Sequence, residues 1–328
     1  MTVHVRITEE AWALTEPFEI AGQVIAVLPL LLLELTDADG FVGRGEAAGI
    51  DYDGETPRSM RDQLEGILPW LRATTTPDEV QTWLPRGGAR NALDCALWDL
   101  QAKRTGVAAW KAAGLEPMRP RLTACTIGLG SVGDTRRRAR RLAAAPLIKV
   151  KVDGERHVEW LRIVREEAPR ARLVVDANQS WSAALISELL PELLALGVEF
   201  IEQPLPRGRE AELEGLGSPI PFVADESCTD RSSLPTLVNR YQGVNIKLDK
   251  TGGLTEALAL ARGARSLGFD LMVGNMCGTS LGMAPAFLVA QMARWADLDG
   301  PLLQSEDRPF AMRYAGGFVQ PPASGLWG

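Results

Sequence analysis

Single carboxylates follow short apolar segments in the second half of this 328-residue chain. They are Asp176 in VVDAN, Glu202 in FIEQP and Asp225 in VADES. Carboxylates gathered at one place repel each other unless a cation holds them together. An all-oxygen set without His or Cys favours a hard ion, and three carboxylates with positions left for substrate and water suit Mg²⁺ better than Ca²⁺ or Zn²⁺. We therefore predict one Mg²⁺ ion held by these three residues.

Lysines stand on both sides of these carboxylates along the chain. Lys149 and Lys151 share one apolar segment, and side chains that alternate along a strand place both on the same face. Lys247 ends a later segment. A lysine on each face of a carbon next to a carboxylate can move a proton across that carbon, which gives racemisation or epimerisation. One base acting with a leaving group would instead give β-elimination, and the residues alone leave both reactions open.

The spacing of the polar positions indicates repeated strand–helix units. The intervals between Lys151, Asp176, Glu202, Asp225, Lys247, Asn275 and Asp297 are 25, 26, 23, 22, 28 and 22 residues. One strand and one helix per unit produce such a period. Strands are predicted at 122–127, 147–152, 173–176, 198–202, 222–225, 244–248, 271–273 and 296–299. The fold class is therefore α/β, a (β/α)₇β TIM-like barrel whose active site lies at the C-terminal ends of the strands.

The first part of the chain predicts a different architecture. Segments 24–35 and 41–46 flank a turn at 37–40, which is typical of an antiparallel hairpin. Helical patterns follow at 57–71 and 89–103, and the second stops at Gly106. We predict an α+β capping domain over residues 1–115, a barrel domain over 120–300, and a tail over 301–328 that returns to the cap.

Composition excludes several classes of function. No segment approaches the ~20 continuous apolar residues of a membrane span, and the first residues lack the pattern of a signal peptide. The net charge of −7 argues against a nucleic-acid partner, and the basic run 136–141 fits a solvated helix face. Four widely spaced cysteines without a C-x-x-C pair fit reduced thiols in the cytoplasm. The oligomeric state stays open, a homo-oligomer included.

The segment GLGSVG at 128–133 matches a dinucleotide-binding fingerprint, with Asp153 twenty residues further on. That interpretation conflicts with the 120 residues before the motif and with the lysines of the next strand, which a sheet covered on both faces tolerates poorly. It also leaves the polar strand ends unexplained. In a barrel these glycines form the first loop between a strand and a helix.

The ordered motifs resemble one known family. KVK at 149–151, DAN at 176–178, EQP at 202–204, DES at 225–227 and NIKLDKTGG at 245–253 are similar to the muconate-lactonizing subgroup of the enolase superfamily. Within it, ARNALDCALWDL at 89–100, SLGMAPA at 280–286 and DLDGP at 297–301 resemble the dipeptide epimerases. The resemblance covers essentially the whole chain.

This resemblance implies a role for each matching residue. Asp176, Glu202 and Asp225 would bind Mg²⁺, Lys151 and Lys247 would be the acid/base pair, and Lys149 would contact the substrate carboxylate. Asp297 and Asp299 match the motif that binds the α-ammonium group of a dipeptide. The implied reaction is epimerisation of L-Ala-X dipeptides at residue X by 1,1-proton transfer through an enediolate.

One loop departs from the family pattern. Enzymes selective for a C-terminal Glu carry an Arg in the loop that here spans 17–26, and this loop contains neither Arg nor Lys. Burying a Glu carboxylate without a cation is costly, so we expect X to be apolar or neutral, in contact with Gln23 and Ile25. Asp51, Asp53 and Glu55 leave a cationic X open.

Two other functions stay open from the sequence. One is a lyase of the same superfamily, such as an o-succinylbenzoate synthase or a muconate cycloisomerase, whose substrates lack an ammonium group. The other is a barrel retained as a binding module without catalysis.

Overall fold

The computed structural model describes residues 3–20 and 23–328, with the side chains of Ile20 and Gln23 outside the described part. The strands are β1 (His4–Ile20), β2 (Gln23–Thr36), β3 (Val42–Ala47), β4 (Arg121–Leu122), β5 (Cys125–Ile127), β6 (Leu147–Lys151), β7 (Arg172–Asp176), β8 (Val198–Glu202), β9 (Phe222–Ala224), β10 (Gly243–Ile246), β11 (Asp270–Val273), β12 (Trp295–Ala296), β13 (Tyr314–Ala315) and β14 (Phe318–Val319). The helices are α1 (Pro57–Ile67), α2 (Pro77–Trp83), α3 (Gly88–Thr105), α4 (Ala109–Ala112), α5 (Val132–Arg141), α6 (His157–Glu167), α7 (Ala183–Ala195), α8 (Leu234–Leu237), α9 (Leu248–Thr251), α10 (Leu254–Ser266) and α11 (Ser280–Ala290).

Strands β5 to β12 form one parallel eight-stranded sheet in chain order. α-Helices separate the successive strands except β8 and β9, between which the chain forms the 3₁₀ turn Glu210–Leu213. The two ends of the sheet approach each other, because Ala124 N donates to Ala296 O at 2.8 Å. The sheet is thus curled into the predicted α/β barrel. Its first and last strands are shorter than predicted: segment 122–127 divides between β4 and β5, and the last strand ends at Ala296, before Asp297.

The N-terminal part packs an antiparallel sheet, ordered β1-β2-β3, against α3. Strand β1 is not among the predicted strands. It pairs with β2 along most of its length, with a break in register between Ala13 and Phe18 that leaves extra residues on β1. Helix α1 ends at Ile67 rather than at residue 71, and a 3₁₀ turn containing Pro69 follows, because proline supplies no N–H to continue an α-helix.

Three apolar cores stabilise these layers. One lies between the barrel strands and their surrounding helices, and a second lies between the N-terminal sheet and α1 to α3. The third fills the inside of the barrel with Ala124, Leu147, Val174, Phe200, Val223, Met272 and Trp295. The inside is therefore packed at the N-terminal ends of the strands, and an open cleft can form only at the other end.

The C-terminal segment contacts both parts of the molecule. Strand β14 pairs with both β13 and β4. The last residues reach α3, where Trp327 Nε1 donates to Cys95 O at 3.1 Å and Gly328 N donates to Asp99 Oδ1 at 2.8 Å. Among the helices in the described residues, none has the length and apolar character that crossing a membrane requires.

Candidate active site

The charged residues lie one layer above the apolar filling of the barrel. Side chains on one face of a strand recur every second residue. Leu147, Val174, Phe200 and Val223 point inward at the closed end, and the residues two positions later are the site residues Lys149, Asp176, Glu202 and Asp225. The alternation that packs the barrel therefore also places these charged groups at its mouth.

Lys149 lies at the centre of the carboxylates. Its Nζ is 3.0 Å from Asp176 Oδ2, 2.8 Å from Glu202 Oε2 and 3.0 Å from Asp297 Oδ2. Burial lowers the pKa of Lys149, but the attraction of these three carboxylates outweighs burial and holds the pKa well above its ordinary value. Lys149 is therefore a permanent cation in this arrangement.

The two predicted acid/base lysines face each other across the mouth. Lys151 ends β6 and Lys247 follows β10, four strands away in an eight-stranded barrel. Lys151 Nζ donates to Asp176 Oδ2 at 2.9 Å and to Asn178 Oδ1 at 2.7 Å, whereas Lys247 Nζ donates to Asp225 Oδ2 at 2.7 Å. A planar carbon held between them would present one face to each lysine.

The predicted metal ligands do not form a closed ligand group in this conformation. Within residues 3–20 and 23–328, no three or more Asp, Glu, His or Cys side chains are arranged to hold a metal ion, and lysine ammonium groups lie against Asp176, Glu202 and Asp225 instead. The assignment of these three residues as metal ligands stays a prediction.

Their chemistry nevertheless suits a hard cation. All three side chains are buried, and Glu202 Oε2, although close to Lys149, receives no hydrogen bond. Burial raises the pKa of Glu202 to about 8, and repulsion from Asp176 and Asp225 adds to this despite Lys149. A buried carboxylate that resists ionisation among its neighbours is stabilised by further positive charge.

The acidic groups at the mouth outnumber the lysines there by two. The described charged side chains at the mouth and directly behind it include four lysines, Lys149, Lys151, Lys247 and Lys250, and six carboxyl groups, Asp176, Glu202, Asp225, Glu226, Asp297 and Asp299. If all ionise, negative charges exceed positive charges by two. One divalent cation would cancel that excess, so the donor set fits Mg²⁺.

Asp297 and Asp299 lie together on the β5 side of the mouth, just after β12. Thr126 N donates to Asp299 Oδ2 at 2.6 Å, and Thr126 Oγ1 lies 3.3 Å from Asp297 Oδ1. Burial and the neighbouring Asp297 raise the pKa of Asp299 to about 8. A ligand ammonium group placed here would supply the charge that favours ionisation of Asp299.

The cleft above these groups has a volume of about 540 Å³. One wall is apolar and comes from the hairpin of β1 and β2, including Phe18, Ile25 and Leu28. Ile25, a predicted substrate-binding residue, thus lines the cleft, while the side chain of Gln23 lies outside the described residues. Asp51 and Tyr52 line another part of the wall, whereas Asp53 and Glu55 do not line the cleft.

Several contributing residues carry no role in the sequence interpretation. Lys250 is fully buried and donates to Asp225 Oδ1 at 2.5 Å and to Asn245 O at 2.9 Å. Gln203 Oε1 accepts from Asp225 N at 2.9 Å, which fixes the turn that carries Asp225. Both residues lie inside motifs that the sequence analysis quotes. A polar residue that is predicted to be buried close to a site residue is the signal that could have identified them.

The glycine segment 128–133 makes no phosphate cradle. Leu129 N donates to Glu19 O at 3.0 Å, and the space beside Gly128 is filled by Phe18. Asp153 Oδ1 accepts from the backbone N–H groups of Glu155 and Arg156, which ties it to its own turn. The dinucleotide hypothesis therefore has no support in the geometry.

Comparison with known proteins gives two family matches that cover most of the chain. Residues 2–114 match the mandelate racemase / muconate lactonizing enzyme N-terminal domain, and residues 134–326 match the family described as enolase C-terminal domain-like. The chain is also 42% identical over 315 residues to the L-Ala-D/L-Glu epimerase of Escherichia coli strain K12, covering 95% of this chain and 98% of that protein.

Two solved structures are similar over nearly their whole length. An enolase family member from Agrobacterium tumefaciens with homology to dipeptide epimerases, solved with bound sodium and L-Ala-L-Glu, has a TM-score of 0.95 and 40% identity over 99% of this chain and 100% of that one. The dipeptide epimerase of Methylococcus capsulatus, complexed with Mg and L-Arg-D-Lys, has a TM-score of 0.92 and 32% identity over 100% of both chains.

Proposed function

The chain belongs to the enolase superfamily, in its mandelate racemase / muconate lactonizing enzyme group, and from this premise we propose that it is a Mg²⁺-dependent dipeptide epimerase, an isomerase. The observation that carries the proposal is the joint presence, at one barrel mouth, of opposed lysines and a paired-carboxylate site. Lys151 and Lys247 provide proton transfer on two faces, and Asp297 with Asp299 provides the recognition of an ammonium group.

Each side chain has a distinct task in this reaction. Asp176, Glu202 and Asp225 would hold Mg²⁺, which when bound would polarise the substrate carboxylate and stabilise charge as the α-proton leaves. One lysine removes the α-proton of the second residue, and the other lysine returns a proton to the opposite face. Lys149, a buried cation, attracts the substrate carboxylate, while Asp297 and Asp299 hold the α-ammonium group at the other end.

The amine-binding pair favours epimerisation over the lyase alternative. The substrates of an o-succinylbenzoate synthase or a muconate cycloisomerase lack an ammonium group, and would leave Asp297 and Asp299 as adjacent buried carboxyl groups without a ligand partner. Lys149 contacts Asp297 but not Asp299, and a second buried carboxylate beside the first is unfavourable without a further cation. The same reasoning favours dipeptides with a free N-terminus over N-acylated amino acids.

We propose that the second residue of the substrate has an uncharged side chain. Among the described residues that line the cleft, the cationic side chains are Lys149, Lys151 and Lys247, and each already pairs with a carboxylate. Ile25, Leu28 and Met276 supply apolar surface, and Asp51 and Glu226 would repel a Glu side chain. We also propose that the enzyme acts in the cytoplasm, where its four thiols stay reduced.

Hydrogen–deuterium exchange tests the activity. Incubation with Mg²⁺ and L-Ala-X dipeptides in D₂O should place deuterium on the second α-carbon and yield the L,D product, and a metal chelator should abolish both. The absence of exchange from every dipeptide by a folded, Mg²⁺-binding enzyme would contradict the proposal.

Comparison of substrates tests the two recognition features. Exchange with L-Ala-L-Leu or L-Ala-L-Gln should exceed that with L-Ala-L-Glu, because the cleft lysines already pair with carboxylates and Asp51 and Glu226 repel a negative side chain. Gln is the matched comparison for Glu, since the two side chains differ in charge but little in shape. Asp297→Asn should lower kcat/KM for these dipeptides by about 10² or more, since a hydrogen-bonded charge pair contributes on the order of 3 kcal/mol. Unchanged activity in that variant would favour the lyase alternative.

A further inference from the structure

A second cavity lies behind the amine-binding carboxylates. It has a volume of about 310 Å³ and is lined partly by residues of α5, and we call it the α5 cavity. Phe18, Thr126, Asp299 and Leu303 line both the α5 cavity and the substrate cleft. These four residues form the boundary between the two spaces, and Asp299 is common to both.

The position of Asp299 brings the α5 cavity within reach of a bound dipeptide. A hydrogen bond between an ammonium nitrogen and a carboxylate oxygen spans about 2.8 Å. The N-terminal α-carbon is one covalent bond from that nitrogen, and the side chain begins one bond further. The first side chain therefore starts next to Asp299, at the boundary of the α5 cavity, while the second residue lies between Lys151 and Lys247.

The walls of the α5 cavity suit an uncharged side chain. Phe18, Leu303 and Leu142 supply apolar surface. Its charged residues are two arginines and two acidic residues, Asp299 among them, and both arginines contact Glu16: Arg141 Nη1 lies 2.5 Å from Glu16 Oε1, and Arg138 Nε lies 3.5 Å from Glu16 Oε2.

Arg138 also donates to Leu129 O at 3.1 Å and to Pro17 O at 3.3 Å. Because its donors are engaged, a charged ligand side chain would have to break these contacts.

We propose that the α5 cavity is the subsite for the side chain of the N-terminal residue. The enzyme then accepts dipeptides whose first residue has an uncharged side chain larger than that of Ala, up to the size of Leu or Met. This rests on the proposed epimerase activity. It extends that activity, since the motifs quoted from the sequence resemble those of epimerases that act on L-Ala-X dipeptides.

Substrate pairs that differ only in the first residue test the subsite. L-Leu-L-Leu should be epimerised with a kcat/KM within about tenfold of that for L-Ala-L-Leu, and a larger discrimination against L-Leu-L-Leu overturns the proposal. If neither dipeptide nor any L-Ala-X exchanges, the epimerase activity itself has failed. Calorimetry with the Lys151→Ala/Lys247→Ala double variant then tests the subsite without turnover. The Kd for L-Leu-L-Leu should lie within about tenfold of the Kd for L-Ala-L-Leu, and a larger difference overturns the proposal.

A variant that fills the α5 cavity tests whether this space binds a substrate side chain or is only a gap in the packing. Leu142 lines the α5 cavity but not the substrate cleft. Leu142→Trp should lower kcat/KM for L-Leu-L-Leu at least tenfold and change that for L-Ala-L-Leu less than twofold. Ala144→Trp, an exposed position two residues away, is the matched control and should change neither. An equal loss with both substrates in Leu142→Trp, or no loss with either, overturns the proposal.

Discussion

At the scale of single residues, the two acid/base lysines have unlike surroundings. Lys151 is held by Asp176 and by Asn178, whose backbone has the left-handed φ of 40°. Asparagine adopts this conformation more readily than most other residues with a side chain, which suits it to this turn. Lys247 is held by Asp225, which Lys250 also contacts. Each lysine is thus oriented by a carboxylate at the end of the neighbouring strand, as a reaction with one proton donor per face requires.

Replacing either lysine should affect the two stereoisomers unequally. In Lys151→Ala, α-proton exchange in D₂O should slow by about 10² or more for one of the two isomers, L-Ala-L-X or L-Ala-D-X, relative to the other, because a positioned base contributes about 10²–10⁴ in rate. Lys247→Ala should show the opposite preference. NMR of each purified isomer measures this.

Lys111→Ala, an exposed lysine outside the barrel mouth, is the control and should behave as the wild type. Equal residual exchange from both isomers in Lys151→Ala and in Lys247→Ala would contradict a mechanism with two bases.

At the scale of elements, the basic run 136–141 and the glycine segment before it have a shared structural role. Arg136 and Arg140 on α5 pair with Glu167 on α6, while Arg137, Arg138 and Arg141 surround Glu16. Glu16 lies in the part of β1 where the register with β2 breaks. The break directs the end of β1 onto α5, and Phe18 thereby becomes a wall of the cleft.

The close contact of Phe18 with Gly128 predicts weaker substrate binding in Gly128→Ala. A Cβ at residue 128 would lie 2.8 Å from Phe18 Cε2 and 3.0 Å from Glu19 O, so the end of β1 must shift away from the cleft. We expect KM to rise by about three- to tenfold with a smaller change in kcat, on the order of 1 kcal/mol in binding.

Gly133→Ala is the matched control, because its Cβ would meet only Ser131 Oγ at 3.8 Å. Steady-state kinetics of both variants checks the expectation, and wild-type KM in Gly128→Ala would refute it.

At the scale of the whole molecule, buried polar groups join the N-terminal layer to the barrel. Arg90 on α3 donates to Thr251 O at 2.7 Å, and Asp94 on the same helix accepts from Thr255 N at 3.0 Å. Asp249 on α9 accepts from Gly49 N at 3.0 Å, and Gly49 lines the substrate cleft. The hairpin and loops that form the cleft walls are therefore held against the catalytic strands from behind.

Asp94 should make the stability of the protein depend on pH. Burial raises its pKa from the ordinary value of 3.8 to about 7, although hydrogen bonds from Thr255 and Leu254 oppose the rise. Between those two values the folded protein keeps a proton that the unfolded chain releases, so the free energy of unfolding falls as pH rises. A tenfold difference in proton affinity between the folded and unfolded states corresponds to about 1.4 kcal/mol.

We expect the decrease in stability between pH 5 and pH 8 to be smaller in Asp94→Asn than in the wild type by at least about 1 kcal/mol, because Asn has no proton to lose. Urea unfolding at both pH values measures this. Asp39→Asn, at an exposed position, should keep the wild-type dependence. An unaltered pH dependence in Asp94→Asn would show that this carboxyl group does not contribute.

The amino-acid sequence by itself determined the barrel and the composition of its mouth. Inward positions recur every second residue and strand–helix units recur at a near-constant interval, so the local pattern already places Lys149, Asp176, Glu202 and Asp225 in one layer. It also determined the helical pattern at 89–103 that became part of α3, and the end of that helix at Gly106, which has a left-handed φ of 68°. These features depend on local periodicity and backbone geometry, which a single sequence records.

Only the tertiary structure decided which groups pair and where the cavities lie. The position of Lys149 between Asp176, Glu202 and Asp297, the burial of Lys250 against Asp225, and the seating of Phe18 on Gly128 all join residues distant in sequence. The short last strand and the long β1 likewise depend on neighbouring strands rather than on local propensity. The position of the α5 cavity likewise depends on tertiary structure, because a space bordered by β1, α5 and the segment after β12 has no local pattern in the sequence.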